Sequence, residues 1–185
     1  MRCDLQASPT IAPWLAGLKV RLLVEADLPA LEWGGEFTHF RRLYQEIYRA
    51  MLQGRVLMWV AERRSDPPVQ EEIIGQVFVQ LNSSRADMAD GARRAYIYSF
   101  RVKPEYRGYG VGACMLQTTE RDLIQRGYLW ATLNVAQDNP AGLRFYERYG
   151  YRMIGDDPGR WTYIDHQGSR REVIEPAFRM EKRLG

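Results

Sequence analysis

Arg107, Gly108, Gly110 and Gly112 stand together in the stretch Val102-Lys103-Pro104-Glu105-Tyr106-Arg107-Gly108-Tyr109-Gly110-Val111-Gly112. Residues of these types at this spacing suit the binding of an anion. Glycine lets the backbone take positive φ and come close to a phosphate, and a planar guanidinium can hold one bidentately. The elements on either side put the stretch where an anion site forms readily. Before it, Tyr96 to Val102 is rich in aromatic and β-branched residues and reads as a strand. After it, Val111, Met115, Thr119 and Leu123, with Leu116 and Ile124 beside them, recur at helical spacing until Gly127. The loop therefore ends at a helix N-terminus, whose first N–H groups have no partner inside the helix and whose dipole favours negative charge.

A second block, Asn139-Pro140-Ala141-Gly142-Leu143-Arg144-Phe145-Tyr146-Glu147-Arg148-Tyr149-Gly150-Tyr151, reads as a complete short helix. Asn139 is its N-cap, Pro140 occupies its first turn and Gly150 stops it. On spacing alone, Tyr146 is as well explained by packing between Leu143 and Tyr149 as by chemistry. Cys114, in the first turn of the preceding helix, reads as a small structural residue.

Gly108-x-Gly110-x-x-Ala113 also matches a loose dinucleotide fingerprint, but its context is wrong. Lys103 to Arg107 separate the strand from the first glycine, and the region about 20 residues on, Tyr128 to Thr132, has no carboxylate to hold a ribose. In the order V-x-P-x-Y-R-G-x-G-x-G the first stretch instead resembles the acetyl-CoA pyrophosphate loop of the GNAT superfamily of N-acetyltransferases. The second resembles that family's N-x-x-A-x-x-F-Y-x-x-x-G-F block, with Gly142 in the usual alanine place and Tyr151 in the usual phenylalanine place. The close resemblance runs over residues 95 to 151.

The resemblance implies a single α/β domain over residues 18–185, with a mixed, twisted sheet flanked by helices. It implies acetyl-CoA as co-substrate without a metal. The acetyl group would pass to a primary amine of an unidentified small-molecule or peptide acceptor by direct attack in a ternary complex, and a homodimer is compatible with it. Carried over residue by residue, the cofactor contacts are Phe100, Val102, Arg107, Gly108, Tyr109, Gly110, Val111, Gly112, Asn139 and Tyr146. The backbone N–H of Val102 would meet the thioester oxygen, and Tyr146 would be the acid for the leaving thiolate. A phenol near pKa 10 can protonate a thiolate at little cost in driving force. Family members often place a carboxylate base on the strand before the loop, yet Ala95 to Lys103 has none. Glu36, Asp156, Asp157, His39, His166 or a water relayed by Tyr96, Tyr98 or Ser99 remain as candidates, and the base stays unassigned. The missing carboxylate also supports an alternative, a non-catalytic acyl-CoA-binding or sensing domain.

Bulk properties agree with this frame. A chain of 185 residues can bury a core without staples. A net charge of +3, with arginines spread along the chain, gives no argument for nucleic acid. Cys3 and Cys114 have no metal-ligand or redox spacing and suggest no disulfide framework, so a reducing, cytoplasmic setting is expected. The longest apolar run, Val56 to Ala61, is too short to span a bilayer, and no signal peptide is evident.

The remaining elements follow in order. Met1 to Gly17, with Pro9 and Pro13, reads as an irregular lead segment. Leu18 to Val24 reads as a strand, and a helix started by Glu25 to Pro29 ends near Gly34-Gly35. A second helix carries Phe40, Leu43, Tyr44, Ile47, Ala50 and Met51 on one stripe, and the connection Trp33 to Thr38 overlies the acceptor site in proteins of the family. Val56 to Glu62 and Ile73 to Leu81 form an antiparallel pair, and the polar segment Asn82 to Arg94, long for a hairpin loop, reads as a mobile loop or a functional insertion. Leu129 to Val135 forms a strand parallel to Tyr96–Val102. After a strand from Tyr151, Trp161 to Asp165 and Val173 to Met180 are expected to form a hairpin.

Overall fold

The computed structural model describes residues 17–65 and 70–185. The expected lead segment lies outside them apart from Gly17, as do Asp66, Pro67 and Pro68. The chain runs β1 (Leu18–Leu22), a 3-10 segment Glu25–Gly35, a 3-10 turn Thr38–Phe40, α1 (Arg41–Leu52), β2 (Val56–Ser65), β3 (Gln70–Gln80) and β4 (Arg94–Val102). It continues with a 3-10 turn Pro104–Tyr106, α2 (Val111–Gln125), β5 (Trp130–Ala136), α3 (Pro140–Arg148), β6 (Arg152–Asp157), β7 (Arg160–Ile164), β8 (Arg170–Ile174) and β9 (Ala177–Arg183). The large sheet has the order β1-β2-β3-β4-β5-β9-β6, and β7 with β8 forms a separate hairpin.

The sheet is covered on both faces, which explains the unbroken apolar run of β2. Leu57, Trp59 and Ala61 join a core under α2 and α3, while Val56, Met58 and Val60 join a core under the 3-10 segment and α1. α2 fits its side of the sheet through Val111, Cys114, Met115, Leu116 and Leu123, each at most 1% exposed, whereas Ile124 at 46% is not part of the stripe. Each such apolar side chain contributes about 1.5–3 kcal/mol by leaving water. Inside this core Glu120 accepts from Tyr151 Oη at 2.9 Å and pairs with Lys182 Nζ at 2.6 Å, tying α2 to the sheet beyond β5.

β4 and β5 are parallel, as the strand-helix-strand order requires, but their pairing runs only from Arg94↔Trp130 to Ile97↔Leu133. Beyond it the strands part. On the other side β4 stays paired to β3 with a register shift, Gln76↔Arg101 against Phe78↔Tyr98, which leaves one extra residue in β4. Ser99 takes φ +50 at this bulge, and its Oγ accepts from Gln76 Nε2 at 2.9 Å. The bulge reverses the alternation of β4. Ala95 and Ile97 face the α2 side and Tyr98 the α1 side; after the bulge Phe100 and Val102 face the α2 side again.

The helix expected after β1 runs from Glu25 to Gly35 as a 3-10 winding, with Pro29 inside it and with Trp33 (φ 47) and Gly34 (φ 69) breaking it near its end. Two expectations are corrected. The loop 82–94 is not loose. Met88 and Ala89 are buried, Thr132 Oγ1 donates to Met88 O at 2.7 Å, and Arg85 reaches Asp157 at 2.6 Å. The final hairpin closes between β7 and β8, while residues 177–183 leave it to enter the large sheet between β5 and β6. Pro176, which cannot continue a ladder, separates β8 from β9. Cys114 is fully buried in the core under α2, as a small structural residue. No helix among the described residues is long and apolar enough to cross a membrane.

The bulge gives a first prediction. Ser99→Val places a β-branched residue at positive φ and removes the bond from Gln76, so it should cost about 2–4 kcal/mol. Urea unfolding measures this, and a loss below about 0.5 kcal/mol would show that the bulge is not held by these terms.

Candidate active site

Where β4 and β5 part, the segment after β4 turns through Pro104–Tyr106 and reaches Gly110, the N-cap of α2, at φ 88. No side chain caps this helix, so its first N–H groups face the opening unclaimed by a cap. Gly108 also has positive φ, +82, with no atom within 4 Å of the position a Cβ would take. Gly112 differs. A Cβ there would meet Phe145 at 3.6 Å and Val102 at 3.9 Å, ordinary contacts, so packing does not require glycine at this position.

Val102 ends β4 beside this loop. Lys103 N–H donates to Ile74 O on β3 at 2.9 Å, so by strand alternation the N–H and C=O of Val102 point the other way, into the opening. Its carbonyl accepts Arg107 Nε at 2.8 Å, which anchors the exposed arginine to the strand end. Tyr106 Oη donates to Glu72 at 2.8 Å and Lys103 pairs with Glu72 at 2.6 Å, so the loop is fastened to β3 as well. Tyr109, expected to touch the cofactor, is 49% exposed at the loop surface.

α3 closes the α2 side of the opening. Phe100 lies 6.1 Å from Phe145 and 6.2 Å from Tyr146 between ring centroids, and Tyr146 lies 5.6 Å from Tyr151. Tyr146 is half-buried, and loss of solvent, with Tyr96 nearby, pushes its phenol above the ordinary value. It is protonated throughout the neutral range. Asn139 caps α3 by accepting the Gly142 N–H at 2.9 Å, which leaves its amide nitrogen for another partner. The glycine in place of the family's alanine has a local reason, because a Cβ at residue 142 would stand 2.6 Å from that nitrogen.

The α1 side of the opening is walled by rings the sequence reading did not assemble. His39 and Phe40, from the connection between the 3-10 segment and α1, meet β7, with Phe40 4.9 Å from Tyr163 and 6.0 Å from Trp161, and Phe37 stacks on Phe40 at 6.3 Å. Tyr96 and Tyr98 stack at 5.7 Å on the same side, and burial pushes the Tyr96 phenol up to about 12. The Trp33 to Thr38 connection was the available signal; its meeting with residues over a hundred positions away was not.

Among the base candidates, Glu36 and Asp156 are exposed, and His166 is exposed at the β7–β8 turn. Asp157 is 5% exposed; burial raises its pKa, but the Gly159 N–H and Arg85 outweigh this and hold the carboxyl below its usual range. His39 is the candidate that lies within the ring cluster, 4.1 Å from Phe40 and 6.1 Å from Tyr163. No cluster of metal-ligating side chains occurs among the described residues.

The sequence model of the acetyltransferase (GNAT) family matches residues 23–151. A mycothiol acetyltransferase of Nocardiopsis dassonvillei is 31% identical over 80 residues, which is 43% of this chain and 24% of that protein, so the chain spans about a quarter of its relative's length. Ard1 from Thermoplasma volcanium superposes with a TM-score of 0.66 at 17% identity, over 91% of this chain and 99% of the other. The PaiA N-acetyltransferase of Thermoplasma acidophilum, solved with coenzyme A, superposes with a TM-score of 0.61 at 22% identity, over 90% and 99%. The likeness to these structures is one of fold.

The Asn139 cap carries its own test. Asn139→Ala should lower stability by about 1 kcal/mol and Asn139→Asp by much less, since the aspartate can still accept the Gly142 N–H. Equal losses in thermal melts of the two variants would show that the cap is not what Asn139 contributes.

Proposed function

Because the chain belongs to the acetyltransferase (GNAT) family, we propose that it transfers an acetyl group from acetyl-CoA to a primary amine by direct attack in a ternary complex. The observation that carries this reading is the parting of β4 from β5 beside the uncapped N-terminus of α2. The gap offers a slot for an extended pantetheine arm, and the helix end with Arg107 offers a seat for the pyrophosphate. Gly108, Gly110, Val111 and Gly112 present the loop backbone to it, with Tyr109 at its rim and Asn139 Nδ2 across the gap.

The chemistry asks three things of the protein. As the amine nitrogen bonds to the acetyl carbon and the carbon–sulfur bond breaks, the carbonyl oxygen gathers charge, the amine loses a proton and the thiolate gains one. The Val102 N–H serves the oxygen as a preorganised donor. Tyr146 supplies the proton to sulfur, with Phe100 and Phe145 holding its ring, and the proton lost by the amine passes to water or to a base that stays unassigned. The dry setting that raises the phenol pKa also makes a thiolate formed beside it more basic, so the transfer does not become unfavourable by the full shift. Metal chemistry is not needed for any of these steps.

One observation favours a second reading, a non-catalytic acyl-CoA sensor: β4 carries no carboxylate, and Asp157 is engaged by Arg85.

Two measurements test these readings. Acetyl-CoA or free CoA should raise the melting temperature, by an amount equivalent to about 2.7 kcal/mol at 100 times the dissociation constant, and NAD should not. Equal stabilisation by NAD would remove the cofactor assignment. Tyr146→Phe should leave CoA affinity nearly unchanged and slow turnover by roughly 10²–10⁴-fold. A drop below about threefold in steady-state rate would leave Tyr146 as packing, and CoA binding without turnover of any amine would favour the sensor.

A further inference from the structure

Resting on the acetyl-transfer reading, we propose that the acceptor is a small amine that also bears a carboxylate, of the amino-acid class, and that Arg101 is the residue that receives the carboxylate. Arg101 directly precedes Val102, so the two Cα atoms are about 3.8 Å apart. Strand alternation sends their side chains to opposite faces, and the bulge at Ser99 decides which face each takes. Val102 packs on the α2 side, while Arg101 stands on the α1 side among the rings that wall the opening. Its guanidinium carbon lies 4.1 Å from the Phe37 centroid and 5.3 Å from that of Phe40. Such stacking uses the flat face of the group and leaves its N–H edge free for a planar partner.

That edge is under-used. Its hydrogen bond in the structure joins one terminal nitrogen to Tyr44 Oη at 3.2 Å, and among the described residues no carboxylate lies within ion-pairing distance. The carboxylate best placed to reach this part of the fold, Glu32, is committed elsewhere. Arg41 grips both of its oxygens at 2.6 and 2.8 Å, and Thr38 donates to one at 2.8 Å. A half-buried guanidinium without an acidic partner is an unbalanced charge, and at a substrate opening it is balanced when an anionic substrate binds.

Position then limits the substrate. The amine must reach a carbonyl held at the Val102 N–H, and the anion must sit on the neighbouring residue's side chain. The Arg101 side chain starts one residue from that N–H, so amine and carboxylate belong to one small molecule, as in an amino acid. Phe40, Trp161 and Tyr163 leave an apolar surface for the rest of the molecule. A polyamine would bring positive charge against Arg101, and the free α-amine of a long peptide has no carboxylate nearby.

The test compares standard α-amino acids with their carboxamides and with spermidine as acceptors, using the full chain and acetyl-CoA. Wild type should prefer one or more amino acids, and converting the carboxylate to the carboxamide should raise KM about 10- to 100-fold, the worth of a charge-assisted contact. Arg101→Gln should raise KM for the amino acid by a similar factor and leave the carboxamide and CoA affinity nearly unaffected. Arg101→Lys, which keeps charge and fold but loses the fork, should fall between. Better turnover of carboxamides or spermidine, or equal losses on acid and amide in either variant, would overturn the proposal. If no amine is acetylated, the transfer reading fails by itself. Calorimetric titration of the same amino acids into the CoA complex then decides the site: binding by wild type that is lost in Arg101→Gln supports it, and no binding by wild type refutes it.

Discussion

The parting of β4 from β5 is the constraint on which the rest of the site depends. A parallel pair normally satisfies its backbone groups along its whole length, and here the ladder stops at Ile97↔Leu133 while both strands run on. The unpaired edge of β4 is tolerated because its other edge remains bonded to β3 and because helices cover both faces. β4 is therefore firm on one side and open on the other. A backbone N–H can then act as a fixed donor without a mobile loop to carry it.

The bulge converts this opening into two distinct half-sites. Without the extra residue at Ser99, strict alternation would send Phe100 toward the α1 side and Arg101 toward the α2 side, reversing both environments. With it, Phe100 and Val102 line the half where α2 and α3 meet, and Arg101 lines the ring-walled half under α1 and β7. The positive φ of Ser99 is a local strain that separates the two halves.

Much of the half proposed to take the cofactor was legible in the sequence because its parts are local. The strand, the glycines, the helix start and the Asn139 cap are each spelled within a dozen positions, and periodicity placed α2 and α3 within a residue or two. The other half was not legible for the opposite reason. Phe40 meets Trp161 and Tyr163 only through the fold, and the orientation of Arg101 depends on a bulge that no residue type announces. Pro176 did mark the break between β8 and β9, but the alternating run across residues 173–180 concealed it.

β5, one lip of the opening, is bonded to β4 over only part of its length and gains a full-length partner in β9, from Trp130↔Arg183 to Ala136↔Ala177. Among the described strands β6 pairs with β9 alone. β9 thus holds the outer part of the sheet together, and the lip keeps its shape only while β9 stays beside it. Damage to β9 would therefore reach the proposed cofactor slot from behind, through the backbone of β5.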